Sequence, residues 1–305
     1  ATLELLRLCF SLVAKYDFSI SVSFLTIMGL HTILLLWWGV LFVGLMSELD
    51  GFLAVLVFSL LYFALYWITQ LFHAILSSIA GACTMWYFVK SEGEPLDPHK
   101  RVLLYTQNAL TSSLGSLAKG SLLVPPSMSI LTTEHSIIYP SGSSSARQAP
   151  AAVELRTASE RFALTIIAPL SARVYKFNRL VFSHIGVYGC AFSRAVQNVN
   201  TEPALLKMLL DETTNFVLKS LVVLSSGLLM LLHVMLTTSG KESNASIALQ
   251  ALVTLTIVYT EASLMVCPVR AVVDTLPSAF LSNPLLFREI SPIIFHRYHR
   301  ATESA

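Results

Sequence analysis

The chain has 305 residues, of which 54% fall in the apolar set AVILMFWYC and only 12% are charged, whereas a soluble domain is about a quarter charged. That deficit, with a mean hydropathy of +0.68, argues for a membrane protein and makes the lipid bilayer its first expected partner. A formal net charge of +2 excludes phosphate-backbone binding as a main function, so no nucleic acid is expected. Four widely spaced cysteines, without a CxxC pair or a zinc-spaced His cluster, argue against a disulfide scaffold and a metal site.

Residues 1–18 read as an amphipathic or linker segment rather than a signal peptide, and a chain that starts at Ala1 is expected to be part of a longer protein. Beyond it, apolar runs of about 18 or more residues are long enough to cross the hydrocarbon core. Three are clear, at 19–46, 52–89 and 216–238. The second would reach about 57 Å as a helix, too long for one straight span. Its small-residue patch, Ser77, Ser78, Ala80 and Gly81, is the expected break.

Three weaker runs complete the set. Residues 106–131 are rich in small and hydroxyl side chains and carry Lys119 and Pro125-Pro126. Residues 163–187 hold Arg173, Lys176 and Arg179 near the middle, and so line an aqueous path or else lie on the membrane surface. Residues 247–269 hold Glu261 and are closed by Pro268. The expectation is an all-α, polytopic transmembrane helix bundle of about six spans, a single integral membrane domain over 1–305, with a flexible Ser/Pro-rich loop at 133–160 and a cytosolic tail at 281–305.

Orientation follows the Lys/Arg bias of the short loops. Lys90, Lys100 and Arg101 in one loop, and Arg288, Arg297 and Arg300 in the tail, put both ends in the cytosol. The opposite side then receives the sequon Asn244-Ala245-Ser246, so a glycoprotein is expected. Arg147, Arg156 and Arg161 run against this arrangement.

Within the second run, Tyr62, Tyr66, Gln70, His73 and Ser77 follow at spacings of four, four, three and four, one polar stripe on an apolar helix. One reading is a transport path in which Tyr62, Tyr66, Trp67 and Trp86 offer ring faces to an organic cation. The other is that the stripe hydrogen-bonds to neighbouring helices while Trp86 and Tyr87 form an interfacial belt. Ser112, Ser116 and Gly120 recur every fourth residue, a small-residue face for helix packing, with Gly115 beside them. Lys119 either finds a buried partner or snorkels, and Lys219, near a predicted membrane boundary, is expected to snorkel. Glu261 binds a ligand or a proton, or pairs with Lys219 or Lys119. Arg270 and Asp274, one turn apart, are expected to form a boundary ion pair. No nucleophile elbow, phosphate-cradling loop or HExxH occurs, so no enzyme and no cofactor are expected.

Several segments, in order, resemble the choline transporter-like family. Tyr66-Trp67-Ile68-Thr69-Gln70, Ala80-Gly81-Ala82 and Trp86-Tyr87-Phe88 are similar to its aromatic helix and the signature that follows. Leu114-Gly115-Ser116-Leu117-Ala118-Lys119-Gly120-Ser121-Leu122 is the most specific match. Tyr188-Gly189-Cys190-Ala191-Phe192-Ser193-Arg194-Ala195, Asn215-Phe216 with Lys219 and Ser226-Gly227-Leu228, and Val272-Val273-Asp274-Thr275 continue the resemblance. It implies a protein of about ten helices, of which this chain is the C-terminal six, with cytosolic ends. The expected function is a solute carrier for choline or a related cationic amine, in the plasma membrane or an organelle membrane, with Tyr62, Tyr66, Trp67, Gln70, His73, Trp86 and Glu261 as substrate-binding candidates. A non-transporting structural or regulatory membrane protein is the alternative.

Overall fold

A computed structural model describes residues 2–15, 17–48, 51–89, 98–125, 179–201, 212–237 and 244–303, and every regular element among them is an α-helix. In chain order these are α1 (Thr2–Lys15), α2 (Asp17–Glu48), α3 (Gly51–Val89), α4 (Pro98–Leu110), α5 (114–125), α6 (Leu180–Tyr188), α7 (Phe192–Thr201), α8 (Glu212–Thr237), α9 (Asn244–Ser282), α10 (Pro284–Ile290) and α11 (Pro292–Glu303). Among the described residues four helices, α2, α3, α8 and α9, are long and apolar enough to cross a membrane. The outer face of α8 is typical, with Phe216, Leu224, Leu228 and Met235 all more than two-thirds exposed. Such a surface is favourable against lipid or further apolar helices and not against water.

Four spans, not six, is a correction, and its cause is local. The stretch 106–131 does not make one long helix, because Thr111-Ser112-Ser113 form a turn between α4 and α5. There the Thr111 hydroxyl donates to the Gln107 carbonyl at 2.7 Å, Ser112 donates to the Asn108 carbonyl at 3.2 Å, and the Ser113 amide skips a residue to reach the same Asn108 carbonyl at 2.9 Å. Such back-bonding bends helices, and each remaining piece is about 20 Å or shorter against a hydrocarbon core of about 30 Å. Of the stretch 163–187, only the part from Arg179 is described, where α6 has 9 residues and ends on Gly189 in the left-handed region at φ 59°. The loop 133–160 lies outside the described residues.

Two expected interruptions are also absent. Helix α3 runs unbroken through Ser77, Ser78, Ala80 and Gly81 for 39 residues, or about 58 Å. The small residues there admit a neighbour instead of breaking the helix. A Cβ on Gly81 would run into Ser183 of α6, and one on Gly186 of α6 would run into Ser78 of α3. Helix α9 continues through Pro268 and Pro277 to Ser282, as membrane helices do where neighbours hold the chain in place. Cys267, beside Pro268, donates its thiol to the His73 carbonyl of α3 at 3.5 Å.

Side-chain pairings give the directions of the spans. Trp38 packs on Tyr62 and His31 bonds to Thr69, so α2 and α3 are antiparallel. Tyr62 bonds to Thr256, His73 to Ser263 and Ser77 to Cys267, so α3 and α9 run parallel. Three apolar clusters lie along the bundle. The central one joins Ile75, Ile79, Leu117, Phe182, Phe192 and Leu264, and one end holds Leu35, Trp38, Phe42 and Leu65. At the other end the C-terminal helices α10 and α11 fold back, placing Phe287, Ile294 and Tyr298 against Leu5 of α1, Phe88 of α3 and Leu276 of α9. Phe287 stacks on Phe88 at 4.2 Å, and the Asn283 amide donates to the Phe88 carbonyl at 3.0 Å.

Of the predicted packing face on 112–120, Gly120 is the tight point: a Cβ there would meet Phe182 at 2.7 Å and Phe192 at 3.1 Å. Ser116 is half-buried, Ser112 is exposed in the turn, and Gly115 has no neighbour within 4 Å. The turn at 111–113 ends the regular spacing on which a longer face depends.

Candidate functional site

Between α3, α8 and α9 lies a cavity of about 560 Å³ whose polar wall is built from two stripes. Tyr66, Gln70, His73 and Ser77 descend one face of α3, while Tyr259, Ser263, Cys267, Arg270 and Asp274 descend the facing side of α9. Both sets keep three- and four-residue spacing, which places each on a single helical face. Arg179, at the start of α6, and Lys219 of α8 complete the charged lining. The hydrogen bonds that join the stripes, His73 Nε2 to Ser263 Oγ at 2.9 Å and Ser77 Oγ to Cys267 Sγ at 3.4 Å, set the α3–α9 spacing beside the cavity.

The cavity has two chemically different ends. Tyr66 and Tyr259 supply aromatic rings at one, and Arg270 and Asp274 lie at the other, about 16 Å along α9. The Arg179 guanidinium is within electrostatic reach of Tyr66, His73, Cys267 and Asp274. Asp274 is buried and its Oδ1 accepts a 2.9 Å hydrogen bond from the Asn215 side-chain amide of α8. Arg270 and Asp274 therefore do not form the expected boundary ion pair: among the described residues none joins them, and the continuous α9 carries both into the bundle, where Asn215 takes the carboxylate. The Arg270 Nε and Nη2 are buried with no hydrogen-bond partner among the described residues.

The other sequence-selected residues lie elsewhere. Tyr62 sits in an aromatic cluster, 5.2 Å from the Trp38 ring and 4.6 Å from Phe58, with its hydroxyl on Thr256 at 3.0 Å. Its ring faces are occupied. Trp67 follows Tyr66 by about 100° of helical turn and is exposed off the cavity. Trp86 carries the Arg101 guanidinium over its ring at 5.8 Å, so this chain supplies its cation. Lys119 is exposed on α5, away from the cavity lining.

Glu261 has neither expected lysine as its partner. Its Oε1 accepts from His31 Nδ1 at 3.0 Å and from the Thr32 hydroxyl at 3.0 Å, both on α2, while Oε2 is buried without a partner among the described residues. His31 is fully buried, its other ring nitrogen is 3.2 Å from the Thr69 hydroxyl, and the Thr69 carbonyl meets His73 Nδ1 at 2.8 Å. Glu261, His31, Thr69, His73 and Ser263 thus link α9, α2 and α3 and end at the cavity wall. The sequence reading missed His31. The available signal was its place as a titratable residue inside the apolar run 19–46, since such residues face the bundle interior.

A helical, multi-span membrane protein with a partly polar, open cavity between its helices is the class these features define. The chain belongs to the choline transporter-like family: residues 1–284 match the family described as plasma-membrane choline transporter. A CTL-like protein of Dictyostelium discoideum is 25% identical over 204 residues, which cover 66% of this chain and 34% of that relative. The chain therefore spans about a third of that relative's length.

Proposed function

We propose that this chain forms the solute-binding part of a carrier for choline or a closely related amine in the plasma membrane. The observation that carries the reading is the cavity between α3, α8 and α9, which combines the Tyr66 and Tyr259 rings with a buried carboxylate, Asp274. Aromatic faces at one end replace water around an ammonium that cannot donate hydrogen bonds, and the carboxylate offers a counter-charge at the other end of the path. Family membership supports the solute class. No bond is made or broken in such a role, so the protein acts as a carrier and not as an enzyme.

The test is uptake of labelled choline into sealed vesicles containing the full-length protein. Saturable uptake above protein-free vesicles is expected. Specific binding without net uptake would leave a non-transporting role for the same fold, and neither binding nor uptake would reject the amine reading.

A further inference from the structure

The charges around the cavity favour a solute that carries an acidic group beside its amine. Among the described lining residues Arg179, Lys219 and Arg270 face one carboxylate, Asp274, and that carboxylate already accepts from Asn215. Buried charges are normally paired, yet the Arg270 Nε and Nη2 are buried without partners among the described residues. Arg270 also lines the cavity, and a guanidinium there offers a fixed charge and donors to a carboxylate or phosphate.

We infer that the Arg270 end of the cavity binds an anionic group, and that the solute is an amine bearing a carboxylate or phosphate. The inference rests on the carrier reading above and narrows its substrate class. Arg179, another residue of the cavity lining, supplies the second positive charge, while Asp274 keeps the site from accepting every small anion indiscriminately. Asp274, one helical turn from Arg270 on the same face of α9, supplies the counter-charge for the amine portion, within reach of a solute this small. The positive charges favour an ammonium attached to an acid over the same ammonium alone.

The experiment uses full-length protein in phospholipid-free detergent, with thermal unfolding measured against choline, glycine betaine, phosphocholine and inorganic phosphate at matched ionic strength. Glycine betaine or phosphocholine is expected to raise the melting temperature at concentrations where choline does not. Arg270→Gln should weaken that binding about tenfold or more, the loss of a charged hydrogen-bond pair, and Arg270→Lys should recover part of it. Arg288→Gln, remote from the cavity lining, should leave it unchanged and controls for general charge loss. A response to inorganic phosphate but to neither betaine nor phosphocholine would overturn the amine part of the inference, and a response to betaine alone would support it with a carboxylate as the acid. No response to any anion, or one that Arg270→Gln leaves intact in folded protein, overturns the inference. Choline uptake without an anion response would reject this inference and spare the carrier reading, whereas an anion response without uptake of any of these solutes would do the reverse.

Discussion

His31 and Glu261 lie 230 residues apart in sequence and meet at 3.0 Å, where the imidazole of one span donates to the carboxylate of another. With the histidine fully buried and the carboxylate 18% exposed, this pair ties α2 to α9. Its removal should therefore be felt as loss of structure. Glu261→Gln and His31→Leu are each expected to destabilise the protein by about 1–3 kcal/mol. The double variant should lose less than the sum, with a coupling of about 0.5–3 kcal/mol in denaturation of purified protein. Strict additivity would mean that the two side chains act independently.

Tyr66 and Trp67 are adjacent in sequence but differ in what they face, so they should separate in function. Tyr66→Leu removes a ring from the cavity wall, and apparent solute affinity should fall several-fold, in line with about 0.5–2 kcal/mol for one cation–π contact. Trp67→Leu, off the cavity, should leave affinity unchanged at equal expression. Equal losses in both variants would place the solute somewhere other than this cavity.

The α3–α6 contact should tolerate no added volume. Gly81→Leu and Gly186→Leu each force a side chain into Ser183 or Ser78, and a loss of about 1–3 kcal/mol or more is expected from overpacking. Gly39, which has no neighbour within 4 Å, should accept Ala with no loss and a gain of up to about 1 kcal/mol. Thermal unfolding of the three variants in one detergent makes the comparison. A Gly39→Ala variant as damaged as Gly186→Leu would contradict the packing assigned to α6.

A protease-sensitive tag placed after Ala305 should be digested in sealed vesicles whose cytosolic face is outward. Arg288, Arg297 and Arg300 put positive charge on this segment, and such charge is retained in the cytosol. Protection of the tag would invert the orientation.

The long apolar runs were legible because lipid imposes a simple rule, some 20 consecutive apolar residues per crossing, and α2, α3, α8 and α9 obey it. The stripe from Tyr66 to Ser77 was legible as a face because three- and four-residue spacing is a property of one helix. Which of its members reach the cavity was not, because Tyr62 is claimed by Trp38 of α2, whose ring reaches it only after the spans assemble. The same holds for Glu261, whose need for a partner follows from local chemistry while the identity of His31 depends on how two distant helices pack. The interruption at Ser112 escaped notice because hydropathy averages over side chains, whereas the turn comes from hydroxyls bonding backwards to the main chain.

The fold-back of α10 and α11 puts the order of synthesis into the structure. Phe287 and Tyr298 cover Leu5, Phe88 and Leu276, all of which leave the ribosome before them. That end of the bundle stays uncapped until α10 and α11 emerge, so assembly there cannot finish residue by residue as the chain grows. A nascent chain whose α10 and α11 are still inside the ribosome would leave the apolar pocket around Phe88 open, an interval in which quality-control factors can recognise incomplete assembly at this end.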